Sequence, residues 1–341
     1  IRDVDPHLVV DLHTTNGTHM GYHLTYAPGL SPNTPSAIDA DLRDRWLPAI
    51  SETLLATDDF ATYHYGNVPG AFGEEATAPR GWYTFSPQPR FATNYVGLRG
   101  RYAILSEAYS YAPFEERVAV SHRFTEEILD QAWADASRIR QRVEEADRQP
   151  VAGTDVALRA TWAPLAEPVD ILLGEVDTLR HPVSGEPVFR RRDVRQPERM
   201  PAYIQFEPTE SVVAPSHYLV MPPAEVVVTN LLDLHGIAYE RIPMPDRSVS
   251  VEVFRIDSTA TAARVYQGQR QRTVFGAWEA LTLASTSSGS PLVVSVPVDQ
   301  PLGRLAVMLL EPRADDGAFA WGLLPDASYE GTAPIWRIPS P

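Results

Sequence analysis

The stretch Leu8-Val-Val-Asp-Leu-His-Thr-Thr-Asn-Gly-Thr-His-Met-Gly-Tyr-His-Leu-Thr-Tyr26 decides how the chain is read. Val9, Val10 and Leu12 form a short apolar run that predicts a buried strand ending on His13. Small polar residues and Gly17 follow at once, a loop signal. In open α/β sheets ligands gather where strands deliver side chains at their carboxyl ends, which makes His13 a candidate ligand or base. A single histidine in such a place is more often a hydrogen-bonded core residue. His19 and His23 lie close by, and their i, i+4 spacing would put both on one helical face. Gly17 and Gly21 argue against a helix there.

A second stretch carries chemistry: Arg90-Phe-Ala-Thr-Asn-Tyr-Val-Gly-Leu-Arg-Gly-Arg-Tyr-Ala-Ile-Leu-Ser-Glu-Ala-Tyr109. Tyr102 to Leu105 predicts a buried strand with Glu107 just past its end. A carboxylate in that position is costly to bury unless it is paired or used. The structural alternative to a catalytic role is an ion pair with Arg99 or Arg101. Upstream, Arg90, Asn94, Tyr95 and Arg99 supply cations, an amide and a phenol of the kind that bind a peptide carboxylate.

Both stretches resemble segments of the M14 zinc carboxypeptidases. Asp-Leu-His-Thr-Thr-Asn-Gly at the end of a hydrophobic strand is similar to the segment carrying that family's third zinc ligand, which implies that His13 is a metal ligand. Ile-Leu-Ser-Glu-Ala is similar to the element that ends on the family's general-base glutamate, which implies that Glu107 is the catalytic base. The family also lays a loop tyrosine over its substrate. Tyr83 has the better spacing for that role and Tyr95 the better polar neighbourhood.

Composition bounds these readings. A length of 341 residues with 44% hydrophobic content supports two domains or one large one. The net charge of −15 argues against a nucleic-acid partner. No apolar run approaches membrane-spanning length. Every basic residue is arginine. The absence of cysteine rules out disulfides, thiolate zinc sites and thiol nucleophiles within this sequence. A metal would have to be held by His, Asp or Glu.

None of the nine histidines has a glutamate three positions on, so the His-x-x-Glu that supplies the family's other ligands is missing. Ile1-Arg-Asp-Val-Asp-Pro-His leads almost directly into a strand, like the middle of a domain. The resemblance therefore implies that an N-terminal half, with the main Asn-Arg carboxylate clamp, lies outside this sequence. In the family's sheet that half interleaves with the strands present here. The segment 1–147 alone is then expected to expose apolar strand edges and to associate.

Farther along, Ser36 to Thr57 predicts a helix, with Ser36 and Asp39 as a capping box and Ile38, Leu42, Trp46, Ile50 and Leu54 at helical spacing. Phe60 to Tyr65 alternates like a strand, with His64 a structural or exposed residue. Residues 66–93 form a loop punctuated by glycine and proline, whose Trp82, Tyr83 and Phe85 favour an ordered surface facing the substrate. Pro113 opens a long helix to about Ala146, with Arg138 to Arg148 a solvated face. Gln149 to Gly153 reads as a boundary, giving domains 1–149 and 150–341.

The second domain is predicted to be β-rich. Alternating runs occur at Val156–Thr161, Ser250–Arg255, Thr273–Leu283 and Leu292–Val296, with one helix from about Pro223 to His235 that stops at Gly236. Arg190 to Arg195 reads as a solvated basic loop. Gln300 to Pro312 is similar to C-terminal extensions of some bacterial M14 proteins.

The expected fold is thus the second half of an α/β/α sandwich with a mixed sheet, followed by a β-rich domain. The implied activity is zinc-dependent hydrolysis of a C-terminal peptide bond. Its substrate would be a peptide or a peptidoglycan-type peptide, and its setting secreted or periplasmic. Deacylation of a small amide on the same scaffold and a metal-free binding module are the competing expectations. A covalent mechanism at Ser106 lacks the Gly-x-Ser-x-Gly elbow.

Overall fold

The computed structural model describes residues 1–71, 78–245, 249–281, 292–324 and 332–341. Gly73 and the end of the alternating run at Leu283 lie outside the described residues. The chain parts into two compact units interleaved in sequence. One comprises Pro6–Val143 and Thr161–Glu207, the other Ile1–Asp5, Glu144–Ala160 and Pro208–Pro341.

The unit holding His13 is built on strands β1 (Leu8–Thr15), β2 (Leu24–Pro28), β3 (Thr62–His64), β4 (Trp82–Tyr83) and β5 (Tyr102–Tyr109). Four of them form a mixed sheet in the order β1-β5-β2-β3. β1 runs parallel to β5 and β2 parallel to β3, while β2 and β5 are antiparallel. The helices are α1 (Ser36–Ala40), α2 (Leu47–Asp58), α3 (Ala92–Leu98), α4 (Phe114–Ala134) and α5 (Ala136–Arg148).

Successive strand residues point to opposite faces, so parity sorts the sheet into a helix side and a site side. On the even-numbered side Tyr26 stacks on Phe124 of α4 with ring centroids 5.8 Å apart, and Tyr102 stacks on Trp46 at 5.5 Å. Phe124, Trp46 and Tyr102 are all buried, and each contributes roughly 1.5–3 kcal/mol through the apolar surface it removes from water. Glu107 belongs to the odd-numbered side. There Ala27 and Leu105 are packed by Tyr65, Phe85 and Phe206.

The sheet departs from expectation in two ways. β1 and β5 extend past His13 and Glu107, so both side chains project from within strands rather than from their ends. The pairing of His13 with Glu107 and of Thr15 with Tyr109 keeps the chain extended through residues that sequence alone reads as loop. The four strands also pair directly with one another, leaving no gap for interleaved strands. The edge strands of this sheet are β1 and β3, and on β1 Leu12 is 56% exposed.

The helices differ as well. The expected helix over 36–57 is divided, because the backbone widens to π geometry over Asp41–Trp46 between α1 and α2. Pro35 is its N-cap and no side chain caps it; Asp39 pairs with Arg43 at 2.8 Å instead of closing a capping box. The expected helix over 113–146 breaks at Asp135. The carboxylate of Asp135 is drawn to Trp46 Nε1 (2.8 Å) and Arg45 Nη2 (3.0 Å), contacts that its spacing within the helix does not reveal.

Later strands are β6 (Asp155–Ala163), β7 (Val169–Leu173), β8 (Val176–Arg180), β9 (Pro187–Arg191), β10 (Gln196–Met200), β11 (Ala202–Tyr203) and β12 (Gln205–Val213). Residues of Thr161–Glu207 join the first unit because they complete one of its cores. Ile171, Met200, Ala202 and Ile204 pack with Met20, Tyr22, Trp82 and Tyr109, and β11 pairs parallel with β4. The basic cluster is a solvated loop only in part, with Arg190 and Arg192 exposed and Arg191 buried. Arg190 and Arg191 lie on β9, the Arg191 side chain is 4% exposed against Glu116 and His23, and Arg195 pairs with Asp59 at 2.9 Å.

The second unit is organised on a six-stranded antiparallel sheet. Its strands are β13 (His217–Val220), β14 (Glu240–Pro243), β15 (Val251–Thr261), β16 (Arg272–Leu281), β17 (Leu292–Pro297) and β18 (Thr332–Ile338), in the order β14-β17-β13-β18-β15-β16. α6 (Glu225–His235) ends on Gly236 at φ 78°, where glycine carries no Cβ penalty. The Gln300–Pro312 stretch contains α7 (Gly303–Leu310), an apolar helix whose neighbour Glu311 is buried and accepts a 2.7 Å hydrogen bond from Tyr218.

At Gly303 a Cβ would lie 1.9 Å from the Val298 carbonyl oxygen. The two nearest atoms are the Val298 carbonyl oxygen and carbon, backbone that cannot swing aside, and Val151 Cγ2 lies at 3.2 Å. Gly303→Ala is expected to destabilise this unit by about 1–3 kcal/mol. Faster hydrogen exchange in β17 and α7 would report it, and unchanged protection would refute the clash.

Candidate active site

The parallel register of β1 and β5 sets His13 opposite Glu107, and the antiparallel register of β2 sets Thr25 opposite Glu107 on its other side. Residues paired in this way share a face, so the imidazole, the carboxylate and the hydroxyl project together from the odd side of the sheet. Apolar residues on the same strand sink Glu107 into the sheet. Burial pushes its carboxyl up to about 7, with nearby His13 drawing it down and Asp11 pushing it up. Glu107 Oε2 and Thr25 Oγ1 are both buried with no hydrogen-bond partner among the described residues. A carboxylate oxygen left this way is costly, and this one is poised to take a proton near neutral pH.

Asp11 is the residue that motif reading overlooked. Its Oδ1 lies 2.9 Å from His13 Nε2. The signal was available, since strand period two puts residues 11 and 13 on one face. With Nε2–H directed at Asp11, His13 keeps the Nδ1 lone pair free for a Lewis acid or a proton. Tyr65 was also overlooked. It is held by a hydrogen bond to Thr15, and burial raises its phenol, with the nearby Glu107 charge adding to the rise.

Asp11, His13 and Glu107 do not amount to a complete metal site. Among the described residues no three His, Asp or Glu side chains come together to hold a metal ion. The donor set nevertheless suits one corner of a zinc site: an imidazole beside one carboxylate, and a second, half-buried carboxylate whose Oε2 has no hydrogen-bond partner among the described residues.

The expected substrate-binding residues lie elsewhere in the same unit. Asn94 on α3 is fully buried. Its amide donates to the carbonyls of Ser86 (2.9 Å) and Gln88 (3.1 Å) and accepts from the Leu30 N–H (2.7 Å), so it ties the helix to two loops. Arg99 ends the same helix, buried, with Nη1 donating to the Tyr95 hydroxyl at 3.1 Å and its guanidinium over the Tyr95 ring. Arg90 precedes α3 and is half-buried. Arg101 is buried and donates to the carbonyls of Arg99 and Gly100. Tyr83 lies flat against Tyr203, with ring centroids 4.2 Å apart and planes within 5°. Burial, followed by a hydrogen bond with Tyr203, pushes its phenol up to about 12.

The two other histidines separate. His23 is buried; its Nδ1 accepts the Ala61 N–H at 3.0 Å, and burial followed by the Arg191 charge lowers it to about 4. His19 is exposed, edge-on to Tyr111. His64 is structural, with its ring edge-on to Tyr26 and Tyr63 and held down to about 3 by burial and then Arg43. No helix of the described residues is long and apolar enough to cross a membrane.

No protein-family model, curated protein or solved structure matches the chain.

Proposed function

We propose that this chain carries part of a zinc-dependent hydrolase site that cleaves a C-terminal peptide bond, in the manner of the M14 carboxypeptidases its two strand motifs resemble. The mixed sheet would be the second half of that family's α/β/α sandwich. The observation carrying the reading is the His13–Glu107 register pair, in which an imidazole oriented by Asp11 stands beside a carboxyl pushed up to about 7 by burial. Zinc, when bound, would lower the pKa of its water and polarise the scissile carbonyl.

The roles of this chain's residues follow from their chemistry. His13 would be one ligand through Nδ1, held in place by Asp11. The remaining ligands would come from outside the described residues. Glu107 would take a proton from the attacking water and return it to the leaving nitrogen. Asp11→Asn is expected to weaken zinc binding roughly 10–100-fold, because the neutral amide no longer fixes the ring or raises its basicity. A zinc titration of the complete site measures this, and unchanged affinity would remove Asp11 from the role.

The decisive experiment compares metal content in this chain and in the protein extended upstream. About one tightly held zinc in the extended protein only is the expected result. Zinc in neither would favour the metal-free binding module.

The engagement of Asn94, Arg99 and Tyr83 favours a second reading, deacylation of a small amide. Those three side chains are committed to packing within the unit instead of to a peptide carboxylate. Peptides with free and amidated C-termini separate the two readings. A carboxypeptidase fails on the amidated form, whereas a deacylase needs no terminal carboxylate.

A further inference from the structure

Asn16 and Gly17 lead the chain out of β1, and they are its one Asn-Gly pair. Such a pair carries a chemistry of its own. The backbone nitrogen of the following residue can attack an asparagine side-chain amide, and only glycine brings no Cβ to crowd that nitrogen. Gly17 sits at φ 100°, a conformation that residues with a Cβ rarely adopt.

The surroundings favour the attack. Asn16 is exposed, and its side-chain amide makes no hydrogen bond among the described residues. The Gly17 N–H donates to no acceptor among the described residues, so no ladder holds it. The Thr15 hydroxyl donates to the Asn16 main-chain carbonyl at 3.2 Å. A donor on that carbonyl polarises the peptide group and makes its N–H a better acid, and the attack requires that proton to leave. The other asparagines are guarded. Asn33 and Asn94 are buried, Asn67 Oδ1 holds the Thr18 N–H at 2.9 Å, and Asn230 lies within α6, where the helix fixes the next nitrogen. Each of the four also precedes a residue with a Cβ.

We propose that Asn16 is a modification site, converted to isoaspartate and aspartate by attack of the Gly17 nitrogen on its Cγ, with no enzyme required. The Gly17 proton passes to solvent as the N–Cγ bond forms, and the Cγ–Nδ2 bond breaks to release ammonia. Water then opens the cyclic imide. Cleavage of the N–Cγ bond gives aspartate, and cleavage of the main-chain bond gives isoaspartate, whose chain runs through Cγ.

The two products act differently on the fold. Isoaspartate lengthens the main chain by one carbon, about 1.5 Å, between two pinned points. Upstream the Thr15 carbonyl accepts the Ser110 N–H at 2.8 Å. Downstream the Thr18 N–H donates to Asn67 Oδ1 at 2.9 Å, and Thr18 Oγ1 accepts the Val68 N–H at 2.8 Å. Only Asn16 and Gly17 lie between, so the Thr18 contacts give way. Aspartate adds a charge but no main-chain atom and leaves them in place. Neither product depends on zinc or turnover, so the site stands apart from the hydrolase reading.

The test is incubation of the whole chain in mildly alkaline buffer, followed by peptide mapping in a mass spectrometer. The free peptide Thr14-Thr15-Asn16-Gly17-Thr18 serves as the unrestrained reference. Asn16 is expected to convert within about threefold of the peptide's rate while the other four asparagines stay intact. Gly17→Ala is expected to slow conversion at least about tenfold, and Asn16→Gln to abolish the mass gain at this position with an unchanged circular dichroism spectrum. In the isoaspartate fraction the Thr18 and Val68 amides are expected to exchange at least about tenfold faster, and in the Asn16→Asp protein at the original rate. Conversion at least tenfold slower than in the peptide, or mass gain at another asparagine in its place, overturns the site. Equal protection of Thr18 and Val68 in the isoaspartate fraction overturns its effect on the fold.

Discussion

On the proposed hydrolase reading, Glu107→Gln is expected to lower peptide hydrolysis by about 10²–10⁴-fold while leaving zinc content unchanged, since glutamine keeps the shape and loses only the proton transfer. Steady-state rates and metal analysis on the same preparations measure both halves. A loss of less than tenfold would show that some other group takes the proton.

The same variant carries a stability signature. Burial raises the Glu107 carboxyl from 4.5 to about 7 in the fold. Between those two values the folded chain keeps a proton that the unfolded chain has released. Stability is therefore fully present below the unfolded value and falls as pH rises through the folded one. After allowance for partial solvent screening, the loss across this window is about 1–2 kcal/mol. Glutamine cannot titrate, so the slope contributed by this residue should vanish. Hydrogen exchange of β5 amides across the window measures it locally, and identical slopes in both proteins would mean that the carboxyl is better solvated than its surroundings imply.

How much of this site could be read from the sequence depends on the range of the interaction. The candidates His13 and Glu107 stand out in the sequence because each follows an apolar run, and that pattern is local. Their mutual alignment does not, because register is set by pairing between strands some ninety residues apart in sequence. Asp11 falls between these cases: its period-two relation to His13 was visible, but the motif drew the eye to the histidine alone. For Asn94, Arg99 and Tyr83 the sequence shows the side-chain chemistry but not the contacts the fold gives it. Their side-chain chemistry suits a carboxylate, yet the backbone carbonyls of Ser86 and Gln88, the Tyr95 hydroxyl and the Tyr203 ring claim them first.

The same distinction governs the fold. The antiparallel runs of the second unit and the stop at Gly236 are properties of short windows. By contrast, Arg191 reads as solvated among its basic neighbours and becomes buried only because Glu116 and His23, far away in sequence, meet it. The break at Asp135 likewise follows from Trp46 and Arg45. Charged residues are hard to place from sequence because burying one requires a partner, and the partner is usually not a neighbour.

Asp41 is the extreme instance, and Asp41→Ala is expected to cost the unit about 3 kcal/mol. The residue is 3% exposed within the π-helical segment. Its Oδ1 meets Arg45 Nη1 and Arg138 Nη2, both at 2.9 Å, and its Oδ2 accepts the Tyr102 hydroxyl at 2.8 Å. Arg142 Nε approaches to 3.7 Å. One carboxylate thus joins α5, the π segment and the central strand β5, directly beneath the Trp46–Tyr102 stack. Removing it leaves a buried phenol without its acceptor and takes one anion from Arg45, Arg138 and Arg142, of which Arg45 keeps Asp135 at 3.0 Å. The arginines are partly exposed and can turn toward water, which places the cost at the lower end of the range for a broken buried pair. Burial pushes the Asp41 carboxyl up, but hydrogen bonds from Arg138, Tyr102 and Arg45 outweigh it and hold the group below its ordinary value. Its stabilisation is therefore present above the unfolded pKa and is lost as pH falls through the folded one. Asp41→Asn keeps an acceptor for Tyr102 and should cost less, about 1–2 kcal/mol at neutral pH, with the difference from the unaltered chain shrinking in acid. Hydrogen exchange of the β5 and α5 amides distinguishes these outcomes from a general loosening. Protection in the Asp41→Ala protein within about 1 kcal/mol of the original would mean that the arginines find other anions and that the carboxylate is not the joint.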